Sequence, residues 1–409
     1  MPNTERAHDI VVYGASGFVG RLVAGYLAEH APAGARIALA GRSRARCEEV
    51  RAGLPAAARD WPVLEADASD PASLDVLAQR TAVLATTVGP YARYGMPVVE
   101  ACARAGTSYA DLTGEVLFVR EAIDRCDALA RETGARIVHA CGYDSIPSDL
   151  ATFLLAQRAA ADGSGGLTDV RLVATVRGGF SGGTIDSQRA QNEALEQDPG
   201  KRRLLGDPYA LSPDRDAEPD TRQPRDAGLP ARTPDGRWTA PFVMAPFNTR
   251  IVRRSNALQD WAYGRSLSYG EVVSTGRGPL GAVMAAGFTA GLAGALAAMS
   301  FAPTRALVDR VLPAPGTGPD EETRAKGFFR MVVTAGTESG RRYRATAAGP
   351  GDPGYAATSV MLGEAALALA LDGERLPDRA GSLTPATAMG DVLVERLRAA
   401  GHTYEVVPA

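Results

Sequence analysis

This chain has almost no lysine. Its basic residues are nearly all arginine, with lysine only at Lys201 and Lys326. A tyrosine assisted by a lysine four residues on is therefore excluded from the first half of the chain. Histidine is scarce too. His8, His30, His139 and His402 are too few and too scattered for a metal cluster, so no metal site is expected. The four cysteines, Cys47, Cys102, Cys126 and Cys141, show no CxxC spacing. They read as reduced thiols of a cytoplasmic protein. An excess of charge is also missing. The net charge is −3 with 22% charged residues, which gives no case for a nucleic-acid partner. Residues 1–8 are polar and Ile10 already opens a strand, so no N-terminal signal is expected.

What is present begins with Asp9-Ile-Val-Val-Tyr-Gly14-Ala-Ser-Gly17-Phe-Val-Gly20. An apolar run reads as a buried strand. A glycine turn follows, then Phe18, Val19, Leu22, Val23 and Leu27 at helical spacing. In a strand–turn–helix that holds a dinucleotide, Gly14 permits the sharp turn and Gly17 admits the pyrophosphate. Gly20 lets helix and strand pack closely. Ser16 and Phe18 belong to the same turn, and the helix N-terminus offers N–H groups to an anion. The second strand, 36–40, ends in Gly41-Arg42-Ser43-Arg44. No acid stands there to bind a ribose 2′-hydroxyl. Arg42, Ser43 and Arg44 suit a 2′-phosphate instead, which favours NADP.

Strands are expected at 61–66, 81–88, 108–111 and 136–140, alternating with helices at 97–105 and 116–133. This pattern implies a doubly wound, parallel, Rossmann-type sheet over residues 1–147. Ligands bind beyond the carboxyl ends of such strands. Asp67 after the third strand suits an adenine amino group and equally suits a turn cap. Gly89 and Pro90 after the fourth strand join the cofactor candidates. Residues 148–353 read as a second, α+β domain built on an antiparallel sheet. It has a strand at 169–177, a helix near 185–195 capped by Ser181 or Thr184, and a hairpin about Ser339-Gly340. Eight prolines between 197 and 241 mark a long irregular segment. Residues 354–409 read as helices that pack back on the first domain.

From Gly278 to Thr304 no residue is charged. Nine of the residues from Leu280 to Ala302 are alanine and four are glycine. A buried core helix is the first reading. A surface that docks on a membrane or accepts an acyl chain is the second, and a true span the third.

Several motifs together resemble the saccharopine dehydrogenase-like oxidoreductases, and within them the bacterial trans-acting enoyl reductases. They are Gly14–Gly20, Gly41-Arg42-Ser43, Gly89-Pro90-Tyr91, Tyr109–Glu115, Cys141-Gly-Tyr-Asp-Ser-Ile-Pro-Ser-Asp149, Ser181–Thr184 and Leu383–Gly390. The resemblance implies a nicotinamide-binding domain, a second domain over the cofactor, and reduction of an enoyl group on a polyketide or lipid precursor. Enoyl reduction needs a hydrogen-bond donor for the enolate oxygen. Tyr143 and Tyr91 are the catalytic candidates on strand-end loops. Asp144 reads as a turn former and Cys141 as a small buried residue. The expected function is an NADPH-dependent reductase of an apolar acyl substrate, with carriage on an acyl carrier domain and homo-oligomerisation left open. Peripheral membrane contact through 280–302 would make the cytoplasmic protein membrane-associated. The alternatives are a saccharopine-type C=N reductase, with Arg93, Arg177 and Arg189 for a dicarboxylate, and a redox-silent NADP-binding scaffold.

Overall fold

In the computed structural model, residues 6–178, 191, 195, 198–299 and 318–409 are described. The expected cap at Ser181 or Thr184, Arg189, and most of the expected helix at 185–195 lie outside them.

The first sheet is wholly parallel, with the order β13-β6-β5-β4-β1-β2-β3. Its strands are β1 (His8–Tyr13), β2 (Ile37–Gly41), β3 (Val63–Glu65), β4 (Thr81–Thr86), β5 (Ser108–Ala110), β6 (Arg136–Val138) and β13 (Gly381–Leu383). Helices cover both faces, so the central strands are apolar without alternation. Ile10, Val11 and Val12 of β1 are fully buried. The helices between these strands are α1 (Phe18–His30), α2 (Arg44–Ala52), α3 (Pro71–Gln79), α4 (Tyr91–Ala105) and α5 (Val116–Thr133).

Helix α4 starts six residues before the expected Pro97, which lies inside it. The cause is Glu115. Its carboxylate accepts from the N–H of Tyr91 (2.9 Å) and of Ala92 (2.7 Å), and so caps a first turn that carries no capping residue of its own.

α6 (Ile146–Ala161) leads from the first sheet into the second. That sheet has the order β14-β12-β11-β7-β10-β9-β8. Its strands are β7 (Leu167–Arg177), β8 (Ala231–Arg232), β9 (Arg237–Pro241), β10 (Ser268–Arg277), β11 (Phe328–Thr337), β12 (Arg342–Pro350) and β14 (Thr403–Pro408). The expected hairpin is β11–β12, closed at Gly340. The sheet is mixed rather than purely antiparallel, because β10 runs parallel to β7. The proline-rich segment holds α7 (Pro199–Gly206) and leads through β8 and β9 into α8 (Ala245–Leu258). α9 (Gly278–Met299) and the short α10 (Glu321–Ala325) lie between β10 and β11.

The C-terminal residues do more than add helices. α11 (Thr358–Leu371) is buried over most of its length, and Gly363 meets the Tyr26 ring of α1. α12 (Pro385–Ala399) follows β13, and β14 then closes the far edge of the second sheet. Both sheets therefore take an edge strand from residues 381–409.

Candidate active site

The glycine turn sits at the carboxyl edge of β1. Gly14 has φ 88°, and a Cβ there would lie 2.7 Å from Val88 Cγ2. A Cβ on Gly20 would lie 2.2 Å from the Gly14 carbonyl oxygen, so the helix packs on its own entry turn. At Gly17 only the Gly14 carbonyl oxygen comes near, at 3.2 Å, and the residue is exposed.

Helices α2, α3 and α4 each have a side chain that accepts from first-turn N–H groups: Ser43, Asp70 and Glu115. α1 has none. The N-terminus beside the glycine turn is thus the one of these four left open to an anion. Ser16 and the buried Cys47 are hydrogen-bonded, and burial pushes the Cys47 thiol up.

At the end of β2 the basic residues divide their work. Ser43 caps α2 through Arg46 N–H at 3.5 Å. Arg44 pairs with Glu48 at 3.0 Å. Arg42 is exposed, and its charge acts on Asp67 and on the Tyr13 hydroxyl. Asp67 accepts from the N–H of Ser69 (2.9 Å) and its hydroxyl (2.8 Å). The Ser69 N–H is the main cause that holds the Asp67 carboxyl below its ordinary range. Arg42 is the guanidinium best placed to meet a 2′-phosphate.

The second sheet closes over this edge. Phe18 packs edge-on against Tyr355, with ring centroids 4.9 Å apart, and the Arg324 guanidinium lies 5.4 Å above the Phe18 ring. Asp352 holds the covering turn by accepting from Tyr355 N–H and Ala356 N–H.

Two buried acids stiffen the neighbouring strand ends. Asp111 accepts from the Tyr109 hydroxyl (3.0 Å), Thr113 N–H and Ala140 N–H, and it bonds His139 Nδ1 at 2.7 Å. Glu115 caps α4, next to Gly89 and Pro90. The Tyr109–Glu115 motif is thus a brace between the ends of β4, β5 and β6.

The two tyrosine candidates differ sharply. The Tyr91 hydroxyl donates to Thr86 O (3.2 Å) and accepts from Leu112 N–H (3.1 Å), so the backbone already occupies it. The Tyr143 hydroxyl is buried and has no hydrogen-bond partner among the described residues. Its ring lies edge-on to Phe329 of β11 at 5.3 Å, and its N–H donates to Thr358 Oγ1. Tyr143 therefore stands where the two sheets meet. Burial keeps it neutral, and the nearby Asp144 and Glu271 push it further that way. Asp144 is half-buried, and burial pushes its carboxyl up to about 6. Cys141 is fully buried, and burial raises its thiol well above the usual range.

Glu271 on β10 escaped the sequence reading. It accepts from the Tyr269 hydroxyl (2.7 Å) and from Asn248 Nδ2 (3.0 Å), and Ser145 donates to Asn248 Oδ1. Burial pushes its carboxyl up to about 7. The available signal was a lone acid between Gly270 and Val272, with no other charge in the strand before Arg277.

Comparison with known proteins fits this arrangement. The Saccharopine dehydrogenase NADP binding domain matches residues 10–138. A Mycobacterium bovis protein named trans-acting enoyl reductase is 49% identical over 98% of this chain and 98% of its own. The chain belongs to the saccharopine dehydrogenase-like family. This family member is an NADP-dependent oxidoreductase, in accord with the open α1 N-terminus and Arg42. A Mycobacterium ulcerans relative with the same name is 48% identical, again over 98% of each chain. The fold is that of saccharopine dehydrogenase (L-Glu forming) from Saccharomyces cerevisiae. That structure has a TM-score of 0.57 and 12% identity, with 98% of this chain and 99% of that one covered.

Proposed function

We propose that this chain reduces an enoyl thioester with NADPH, in trans, on an acyl chain built by a separate synthase. Full-length similarity to proteins named trans-acting enoyl reductase supports the reaction class. The observation within the fold that carries it is the unpaired, buried hydroxyl of Tyr143 at the carboxyl edge of the cofactor sheet.

NADPH, when bound, supplies the hydride to Cβ of the substrate. Ser16, Gly17 and Phe18 would hold the pyrophosphate on a turn that Gly14 and Gly20 make possible, with Gly89 and Pro90 as a wall. Arg42 would hold the 2′-phosphate and Asp67 the adenine end. As Cβ gains hydride, negative charge moves to the thioester oxygen. The Tyr143 hydroxyl is neutral and holds no competing bond, so it is free to donate to that oxygen. Its burial excludes water and strengthens the bond. Asp144, next to Tyr143 in the chain and with its carboxyl pushed up to about 6 by burial, is the neighbouring acid that would supply the proton for Cα. Tyr91, its hydroxyl tied to Thr86 and Leu112, shapes the wall instead.

The test is NADPH oxidation by purified protein with a soluble enoyl thioester, followed at 340 nm with mass analysis of the product. The saturated thioester and NADP are expected in equal amounts. Tight NADPH binding with no turnover on enoyl, imine or carbonyl substrates would overturn the reading.

A further inference from the structure

Among the described residues, two helical stretches are long and apolar enough to cross a bilayer: residues 278–295 and 353–371. The second is buried in the core, where it packs between α1 and the first sheet. The first is not. Leu280 is 71% exposed, Val283 68% and Met284 53%, while Gly281 and Ala285 near its foot are buried. The core-helix expectation for this segment therefore fails.

We propose that α9 is a membrane-docking device that inserts into one leaflet of a bilayer bearing anionic headgroups. Three observations favour lipid over a second copy of the chain. The first is breadth. Exposed Leu280, Val283, Met284, Ala286, Gly287, Ala290, Gly291 and Gly294 share one broad face, Phe288, Ala293 and Ala295 extend it past half of the helix, and no charge interrupts it. A protein interface is rimmed by polar residues, whereas a wide uncharged face without a rim suits hydrocarbon.

The second is the foot of the helix. Thr275 Oγ1 donates to Gly281 O (2.9 Å) and to Trp238 O (3.2 Å), and a Cβ on Gly281 would lie 3.4 Å from Trp238 Cδ1. Arg232 of β8 pairs with this half-buried tryptophan, and its β9 neighbour Arg237 pairs with Arg277 of β10. Their nearby acid is Asp235, 2.9 Å from Arg237 and 3.6 Å from Arg277. An indole beneath a net-positive arginine collar, at the base of an uncharged helix, matches the interfacial layer of an anionic membrane.

The third is the path of the chain. It leaves the second sheet at Gly278, and by Gly318 it lies against the Phe18 ring. The segment thus returns to the side it left, which excludes a single span and fits insertion into one leaflet.

The place of α9 gives the docking a use. β7 and β10 run parallel and end together. Beyond β7, Gly178 abuts Asp352 and Pro353 of the turn that covers the glycine loop. Val176 and Phe328 are exposed at the same edge, 36% and 40% respectively. A bilayer held by α9 would lie beside the edge where this turn covers the glycine loop, so an acyl chain could enter there from lipid. That last step rests on the enoyl reductase reading, but the docking does not.

The experiment is flotation of the full-length protein with phosphatidylcholine vesicles, with and without phosphatidylglycerol. Binding is expected, stronger with the anionic lipid. Val283→Asp with Phe288→Asp should reduce it by about fiftyfold or more. The melting temperature and turnover of a soluble enoyl thioester should stay unchanged. Arg232→Gln with Arg277→Gln should remove the anionic preference only. No flotation of the parent protein overturns the proposal. So does a lipid-free dimer by sedimentation that the two aspartates dissociate, because α9 would then be covered by a second copy. Loss of thioester turnover in the parent would instead count against the reductase reading alone.

Discussion

Removing the Tyr143 hydroxyl should make the protein more stable and less active. A buried hydroxyl without a partner costs about 1–3 kcal/mol, and Tyr143→Phe relieves that cost while it keeps the ring against Phe329. A gain of about 1 kcal/mol is expected in urea titration. Turnover should move the other way. A donor to a developing oxyanion is worth roughly 2.7–4 kcal/mol, so kcat should fall about a hundredfold to a thousandfold. Affinity for NADPH should hardly change. Tyr91→Phe is the contrasting control. It leaves the buried Thr86 carbonyl and the part-buried Leu112 N–H without their partner, so it should destabilise by about 1–3 kcal/mol and leave turnover per folded molecule near that of the parent. Stopped-flow absorbance under saturating thioester, alongside urea melts, reads both quantities. A Tyr143→Phe protein with unchanged kcat would refute the assignment. One destabilised like Tyr91→Phe would show that the hydroxyl has a structural partner.

Arg42→Ala should erode the preference for NADPH over NADH by roughly 1.5–3 kcal/mol in calorimetric titration. Arg44→Ala should do far less, because Arg44 is engaged by Glu48. Gly17→Val should abolish NADPH binding and leave the fold intact, since little but a ligand occupies the space beside it; circular dichroism with a binding titration separates the two effects. Glu271 gives a pH signature. Its carboxyl rises from 4.5 to about 7 on folding, so the stability it contributes is whole below about pH 4.5 and is lost as pH rises to about 7. That amounts to about 3 kcal/mol, and Glu271→Gln should flatten the fall in urea melts at pH 5 and 7; an unchanged slope would assign it elsewhere.

The parts of this molecule that periodicity and turn chemistry control were readable in the chain. β1, the glycine turn, α5 and the β11–β12 hairpin follow from local apolar patterning and glycine placement. What was hidden depended on partners far along the chain. The start of α4 at Tyr91 is set by Glu115, and no local signal at residues 91–96 announces it. β13 and β14 are short, and they become strands because β6 and β12 present open edges. The division between Tyr91 and Tyr143 was also invisible, because both stand shortly after strand ends. Only the hydrogen bonds to Thr86 and Leu112 separate them. Glu271 was missed because a single acid in a strand carries no spacing.

The placement of β13 has a consequence for how the chain is made. Gly381–Leu383 caps the β6 edge, Asp127 accepts from Ser382 N–H, and the buried Arg254 donates to Ser382 O. The nucleotide sheet therefore cannot be finished before residues 381–383 have left the ribosome. Until then, β6 presents an unpaired edge and Arg254 lacks one of its acceptors, a state that invites chaperones or mispairing. A stop codon before residue 381 would thus strike the N-terminal half of the protein. Expression of residues 1–147 alone should yield aggregates rather than a small NADP-binding module.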